Sequence, residues 1–161
     1  MATPQITPTQ APPAKAVTLQ PIVFATDFSP ASKGALDKAI ELARKEGGEL
    51  IVAHVYEPPA TLSHSGVADD LIEADLEDTI RRDAEKQMAP VLDTVRAGGV
   101  RVHGEILAGN TAKRLGELAA RTGAAMLVIG THGRTGIKKL VMGSVASQLV
   151  ATSPCPVLTV H

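Results

Sequence analysis

The chain predicts an α/β fold, a single three-layer domain with a mainly parallel five-stranded sheet and helices on both faces. Two observations carry that expectation. Short apolar runs of strand length alternate with helical patterns from Pro21 to the end of the chain, the arrangement that builds a parallel sheet through crossover helices. The composition agrees: 44% of the 161 residues are hydrophobic, yet there is no Trp, one Tyr and two Phe. The core is therefore built from Val, Ile, Leu and Ala, which suits buried parallel strands covered by helices.

The elements follow in order. Ile22-Val23-Phe24-Ala25-Thr26 reads as the first strand. Ser29-Pro30 supplies an N-cap followed by proline at the first helical position. Leu36, Ala39, Ile40 and Ala43 make one apolar helix face, which Gly47-Gly48 ends. Leu50 to Val55 is the second strand. After a loop containing Pro58-Pro59, a long helical stripe runs through Ile72, Leu76, Ile80, Ala84 and Met88. Pro90 interrupts it and is expected to kink or split the helix; Val91 and Val95 resume the stripe before Gly98-Gly99. Val100 to Leu107 is a third strand whose polar flanks suit a sheet edge. Gly109-Asn110 caps a helix carrying Leu115, Leu118 and Ala119. Ala124 to Ile129 is the fourth strand, a helix near Ser144 carries Val145, Leu149 and Val150, and Val157 to Val160 is the fifth strand. Crossovers in such a sheet are right-handed. Its ligands bind at the carboxyl ends of the strands, where strand order reverses.

Length and charge limit the functional classes. One domain is expected at this length. A net charge of −1 gives no electrostatic case for nucleic acid or a membrane surface. No apolar run approaches the roughly 18 residues that span a bilayer. The lone Cys155 excludes an internal disulfide and a multi-cysteine metal site, in keeping with a cytoplasmic location. Residues 1–20, rich in Pro, Thr, Ala and Gln, lack the pattern of a signal peptide. Such a segment buries too little apolar surface to offset its ordering entropy. It reads as a flexible tail, leaving residues 21–161 as the folded domain.

The fourth strand runs into Gly130-Thr131-His132-Gly133, then nine residues, then Gly143-Ser144 at a helix start. Glycines let a ligand approach the backbone, and free amides at a helix N-terminus attract anions. No Gly-Lys-Ser/Thr ends this loop, because Gly136 is followed by Ile137, Lys138 and Lys139, so it is not a Walker P-loop. It is not Gly-x-Gly-x-x-Gly either.

The pattern resembles the ATP-binding branch of the universal stress protein family, with its motif Gly-x2-Gly-x9-Gly-Ser/Thr, matched by Gly130, Gly133, Gly143 and Ser144. The resemblance extends to Ala25-Thr26-Asp27-Phe28-Ser29, Ala53-His54-Val55 and Ser153-Pro154-Cys155-Pro156-Val157. It covers about residue 20 to His161. It implies a Rossmann-like sheet in the order 3-2-1-4-5 and a role in stress response, with ATP bound and hydrolysed slowly or not at all. It also implies pairing of two copies through the last strand, which is apolar and therefore an inviting edge.

The residues implied are Asp27 for adenine or ribose, and the Val55 backbone for adenine. Gly130 and Gly133 give room around ribose and phosphate. Gly143, Ser144 and Val145 donate amides to the phosphates, with the Ser144 hydroxyl. A divalent ion, Mg2+ or Mn2+, can accompany those phosphates, with no protein ligand beyond Asp27 suggesting itself.

Each residue also has a plainer reading. Asp27 can organise the start of the first helix, although its place at a strand's carboxyl end favours binding. Ser144 can serve as an N-cap, a role compatible with phosphate binding. Arg134, Lys138 and Lys139 read as solvated loop charges. His132 has no carboxylate near in sequence to make it a base, and His54 reads as a hydrogen-bonded core histidine. Cys155 lacks a cationic neighbour to activate it. No paired carboxylates or activated nucleophile stand out, so binding is favoured over catalysis. The alternatives are a slow ATPase or nucleotidyl-transferring enzyme, and a protein-interaction module that takes no nucleotide.

Overall fold

The computed structural model of the chain describes residues 20–58, 67–131 and 142–161, with the side chains of 67–73 left aside. Strands β1 (Ile22–Ala25), β2 (Glu49–Tyr56), β3 (Arg101–Ala108), β4 (Met126–Gly130) and β5 (Val157–Val160) alternate with helices α1 (Lys33–Glu46), α2 (Val67–Ala97), α3 (Thr111–Thr122) and α4 (Ser144–Thr152). A single 3-10 turn, Pro30–Ser32, precedes α1. The strands form one sheet in the order β3-β2-β1-β4-β5, and every pairing is parallel. The fold class and strand order expected from the sequence both stand, with strand limits shifted by one or two residues.

Side-chain alternation along the strands builds two cores. On one face Phe24, Leu50, Val52 and Val128 pack with Leu36, Ala39 and Ala43 of α1 and Met88 and Val95 of α2. On the other, Val23, Ile51, Ala53 and Leu127 pack with Leu115 and Leu118 of α3 and Leu149 of α4. Side chains pointing to both faces of the central strands are thus removed from water, which is why those strands read as continuous apolar runs. Gly47 closes α1 and Gly123 closes α3, each left-handed at φ 66 and 61. Glycine reaches that region without a Cβ clash.

Three local expectations are corrected. Pro90 does not split α2, which runs unbroken from Val67 to Ala97. Proline removes one amide and so orphans the carbonyl of Lys86. Both residues are exposed, so water can take that bond while Met88 and Val95 stay anchored. Leu76, expected on the buried stripe, is 47% exposed. The cause is length: 31 residues make about 46 Å of helix, whereas the eight-residue strands β2 and β3 are about 26 Å long. The helix outruns the sheet. Val150, grouped with Val145 and Leu149, is 53% exposed, because the nine-residue α4 has only one face against the sheet.

Candidate functional site

The strand order reverses between β1 and β4, so the crossovers from these two strands leave on opposite sides and open a crevice at the carboxyl ends. A cleft of about 300 Å³ occupies that place. Its floor is Ala25, Ala53 and Ile129. Asp27 and Val55 stand on one side, Gly130 and Thr131 follow from β4, and Gly143 to Ala146 open α4. Thr111, the first residue of α3, completes it.

The loop after β1 is held by its own side chains. Thr26 Oγ1 accepts the Phe28 amide at 2.9 Å and lies 3.2 Å from Ser32 Oγ. Ser32 Oγ in turn donates to the Ser29 carbonyl at 2.7 Å. The Thr26 amide donates to Ala53 O, and His54 Nδ1 donates to Thr26 O at 2.8 Å. Phe28 takes a left-handed φ of 60, a costly conformation for a bulky residue. Its ring packs on His54 with centroids 4.3 Å apart. His54 therefore braces the loop from the face opposite the cleft, in line with a hydrogen-bonded core histidine. Ser29 does not cap the helix with its side chain; its hydroxyl donates to Asp27 Oδ1 at 2.6 Å, and its amide donates to the same oxygen at 3.0 Å. Asp27 thus performs the turn-organising role and lines the cleft as well.

At the opposite wall, Gly143 rather than Ser144 is the N-cap of α4, and Ser144 occupies the first helical position. The Gly143 amide already donates to Thr131 O at 3.0 Å, so it is not available to a ligand. Ser144, Val145 and Ala146 fill the first turn, where amides have no partner inside the helix. Gly143 has φ −58, so positive φ is not why glycine stands there. A Cβ would lie 3.3 Å from the Thr131 carbonyl, and close approach of two backbone segments is the reason. Asp27 is the one ionisable residue among the described cleft residues. Positive potential then comes from the helix end, worth roughly half a charge.

Of the residues expected from the sequence, the cleft gathers Asp27, Val55, Gly130, Gly143, Ser144 and Val145. Gly133, with His132, Arg134, Lys138 and Lys139, lies outside the described residues. Sequence reasoning missed Thr26, Ser32, Thr111, Thr131 and Ala146. Thr111 carried a signal, since it follows the Asn110 cap at the carboxyl end of a strand. Cys155 is half-buried against the α3–α4 core. Among the described residues, no helix is long and apolar enough to cross a membrane.

Fold and cleft together define a doubly wound α/β protein with a cleft at its switch point, bordered by a helix N-terminus. The chain belongs to the universal stress protein family, whose model matches residues 18–161. It is 34% identical over 139 residues to universal stress protein A homolog 1 of Coxiella burnetii, covering 86% of this chain and 94% of that protein. UspA from Lactobacillus plantarum shares the fold, with a TM-score of 0.76 at 21% identity over 89% of this chain and 98% of that one. A universal stress protein solved in complex with cAMP is similar at a TM-score of 0.66 and 26% identity, covering 89% of this chain and 98% of its own.

Proposed function

We propose that this protein binds ATP in the cleft and acts as a nucleotide-dependent regulator in stress response, with slow or no hydrolysis. One observation carries the reading. The first-turn amides of α4 border the same cleft whose far side is formed by Val55 and Asp27. That pairing suits a ligand with an anionic end and a flat polar end, since helix N-termini hold phosphates. In this reading the phosphates lie against Ser144 and Val145, with Gly130 and Gly143 keeping the walls free of side chains and Gly133 assigned the same role by its place in the motif. Asp27 meets the ribose or adenine, and the Val55 backbone meets adenine. The relative solved with cAMP supports a nucleotide as the ligand class. Mg2+ or Mn2+ accompanies the phosphates, with Asp27 the one carboxylate among the described cleft residues.

Two further parts complete the proposal: a homodimer paired through β5 and a cytoplasmic location, with neither nucleic acid nor membrane as partner. Titration calorimetry of the purified protein with ATP is the decisive test. Heat of binding at millimolar ATP or below is expected, and its absence would leave a protein-interaction module as the reading. Phosphate release at about 1 s⁻¹ or faster, within the ordinary enzyme range, would make it an ATPase instead.

A further inference from the structure

Thr131 is the first residue beyond β4, and its three polar groups all make separate attachments. Its amide donates to Val160 O of β5 at 2.8 Å, and its carbonyl accepts the Gly143 amide at 3.0 Å. Its hydroxyl is hydrogen-bonded to His161 Nδ1 at 2.8 Å. One residue therefore ties the N-cap of α4 to the strand at the edge of the sheet. The tie is close: a Cβ on Gly143 would come within 3.3 Å of the Thr131 carbonyl. Gly143 has no side chain with which to cap α4, and the helix spans only nine residues. A helix that short is held by its tertiary attachments.

We infer that Thr131 and His161 form a latch that positions the first turn of α4 for anion binding, so that both are positioning residues for the phosphate end of the cleft. The inference rests on the ATP-binding reading. Its logic is geometric. An amide array rewards an anion only where its direction is set in advance, since ordering it on binding spends part of the interaction energy. With the hydroxyl bond gone, the Thr131 carbonyl loses one of the restraints on its direction while its amide stays on Val160 O, and the Gly143 cap and the amides behind it loosen together. The base side of the cleft, built on β1 and β2, has no part in the latch.

The latch therefore separates phosphate affinity from nucleoside affinity. Thr131→Val removes the hydroxyl, His161→Ala removes its partner, and Thr131→Ser restores the hydroxyl. Dissociation constants for ATP and for adenosine are measured on each full-length variant, along with amide hydrogen exchange of the nucleotide-free proteins. The valine and alanine variants are expected to bind ATP about three- to tenfold more weakly, the worth of one hydrogen bond. Adenosine affinity stays unchanged, and serine recovers the wild-type value. Exchange at the amides of Gly143 and Ser147, which are bonded to Thr131 O and Gly143 O, accelerates in both weakened variants and not in the serine variant.

Equal loss for ATP and adenosine, or an effect of Thr131→Val that His161→Ala does not share, overturns the latch. Unchanged exchange at Gly143 and Ser147 also overturns it, and that readout needs no ligand. Failure of the wild-type protein to bind ATP would instead sink the parent reading.

Discussion

Asp27 accepts both hydrogen bonds of Ser29, from its amide at 3.0 Å and its hydroxyl at 2.6 Å, through the single oxygen Oδ1. One half of the carboxylate thus fastens the turn. Among the described residues no partner engages Oδ2, and the side chain borders the cleft. The turn needs only an acceptor at Oδ1, whereas ribose hydroxyls or a phosphate-bound metal ion are drawn to the charge.

These roles separate by substitution. Asp27→Asn retains an amide oxygen for Ser29, so stability is expected to change by less than about 1 kcal/mol. ATP affinity falls about tenfold, the scale of a lost charge-assisted hydrogen bond. Asp27→Ala loses both, costing about 1–2 kcal/mol in urea unfolding as well. Equal ATP affinity in wild type and Asp27→Asn would remove the carboxylate from the site.

Gly143 offers a second separation. Its dihedrals, φ −58 and ψ 155, are open to any residue, so substitution there works through crowding of the Thr131 carbonyl. Gly143→Ala should shift the loop by a few tenths of an ångström and lower ATP affinity modestly. Gly143→Val should lower it by about tenfold or more, with a stability cost of about 1–2 kcal/mol. Calorimetry paired with thermal unfolding checks both, and a valine variant that binds normally would refute the proposed phosphate position.

Tyr56 is the one tyrosine of the chain, and its hydroxyl donates to Glu77 Oε1 of α2 at 2.9 Å. Burial first, and then the bond to the Glu77 carboxylate, raise its pKa above the ordinary 10.0. Because the folded pKa is the higher one, the stabilisation is complete below the unfolded value and disappears as pH climbs through the folded value. Ultraviolet titration of the phenolate is expected to have its midpoint above 10.0, and Glu77→Gln should bring it down. Tyr56→Phe should lose less stability than wild type between pH 9 and pH 11, taken as about one unit either side of the ordinary tyrosine value.

Among the described residues β5 pairs only with β4. Leu127 N donates to Pro156 O, and Thr131 N donates to Val160 O. Backbone groups alternate in direction along a strand, so those of Val157 and Thr159 point away from β4. Thr159→Pro removes an outward donor and spares the inner ladder. Light scattering should give a dimer mass for wild type and a monomer mass for Thr159→Pro. A monomeric wild-type protein at micromolar concentration would end the dimer proposal.

Much of this was legible because local and global preferences coincide. The apolar runs at Ile22, Leu50 and Leu127 became central strands, and Gly47 and Gly123 stopped helices where left-handed backbone is needed. Asn110 capped α3 through its side chain, accepting from the Lys113 amide at 3.0 Å. Legibility failed where an outcome depended on distant partners. Pro90 broke nothing because Met88 and Val95 are anchored in the core on either side of it. Leu76 and Val150 follow apolar spacing, yet they stay 47% and 53% exposed. Ser29 had the profile of a cap and gave its hydroxyl to Asp27 instead.

By itself the sequence determined the strand and helix alternation, the composition of the core, the glycine motif and the resemblance to a family. Those are properties of short windows, set by side-chain shape, periodicity and backbone freedom. Only the tertiary structure decided that Asp27, Val55, Thr111 and Ser144 share one cleft, and that the Gly143 amide is committed to Thr131. Strand order and the reversal between β1 and β4 arise from pairing across long stretches of chain. No window of residues contains the energy of that pairing.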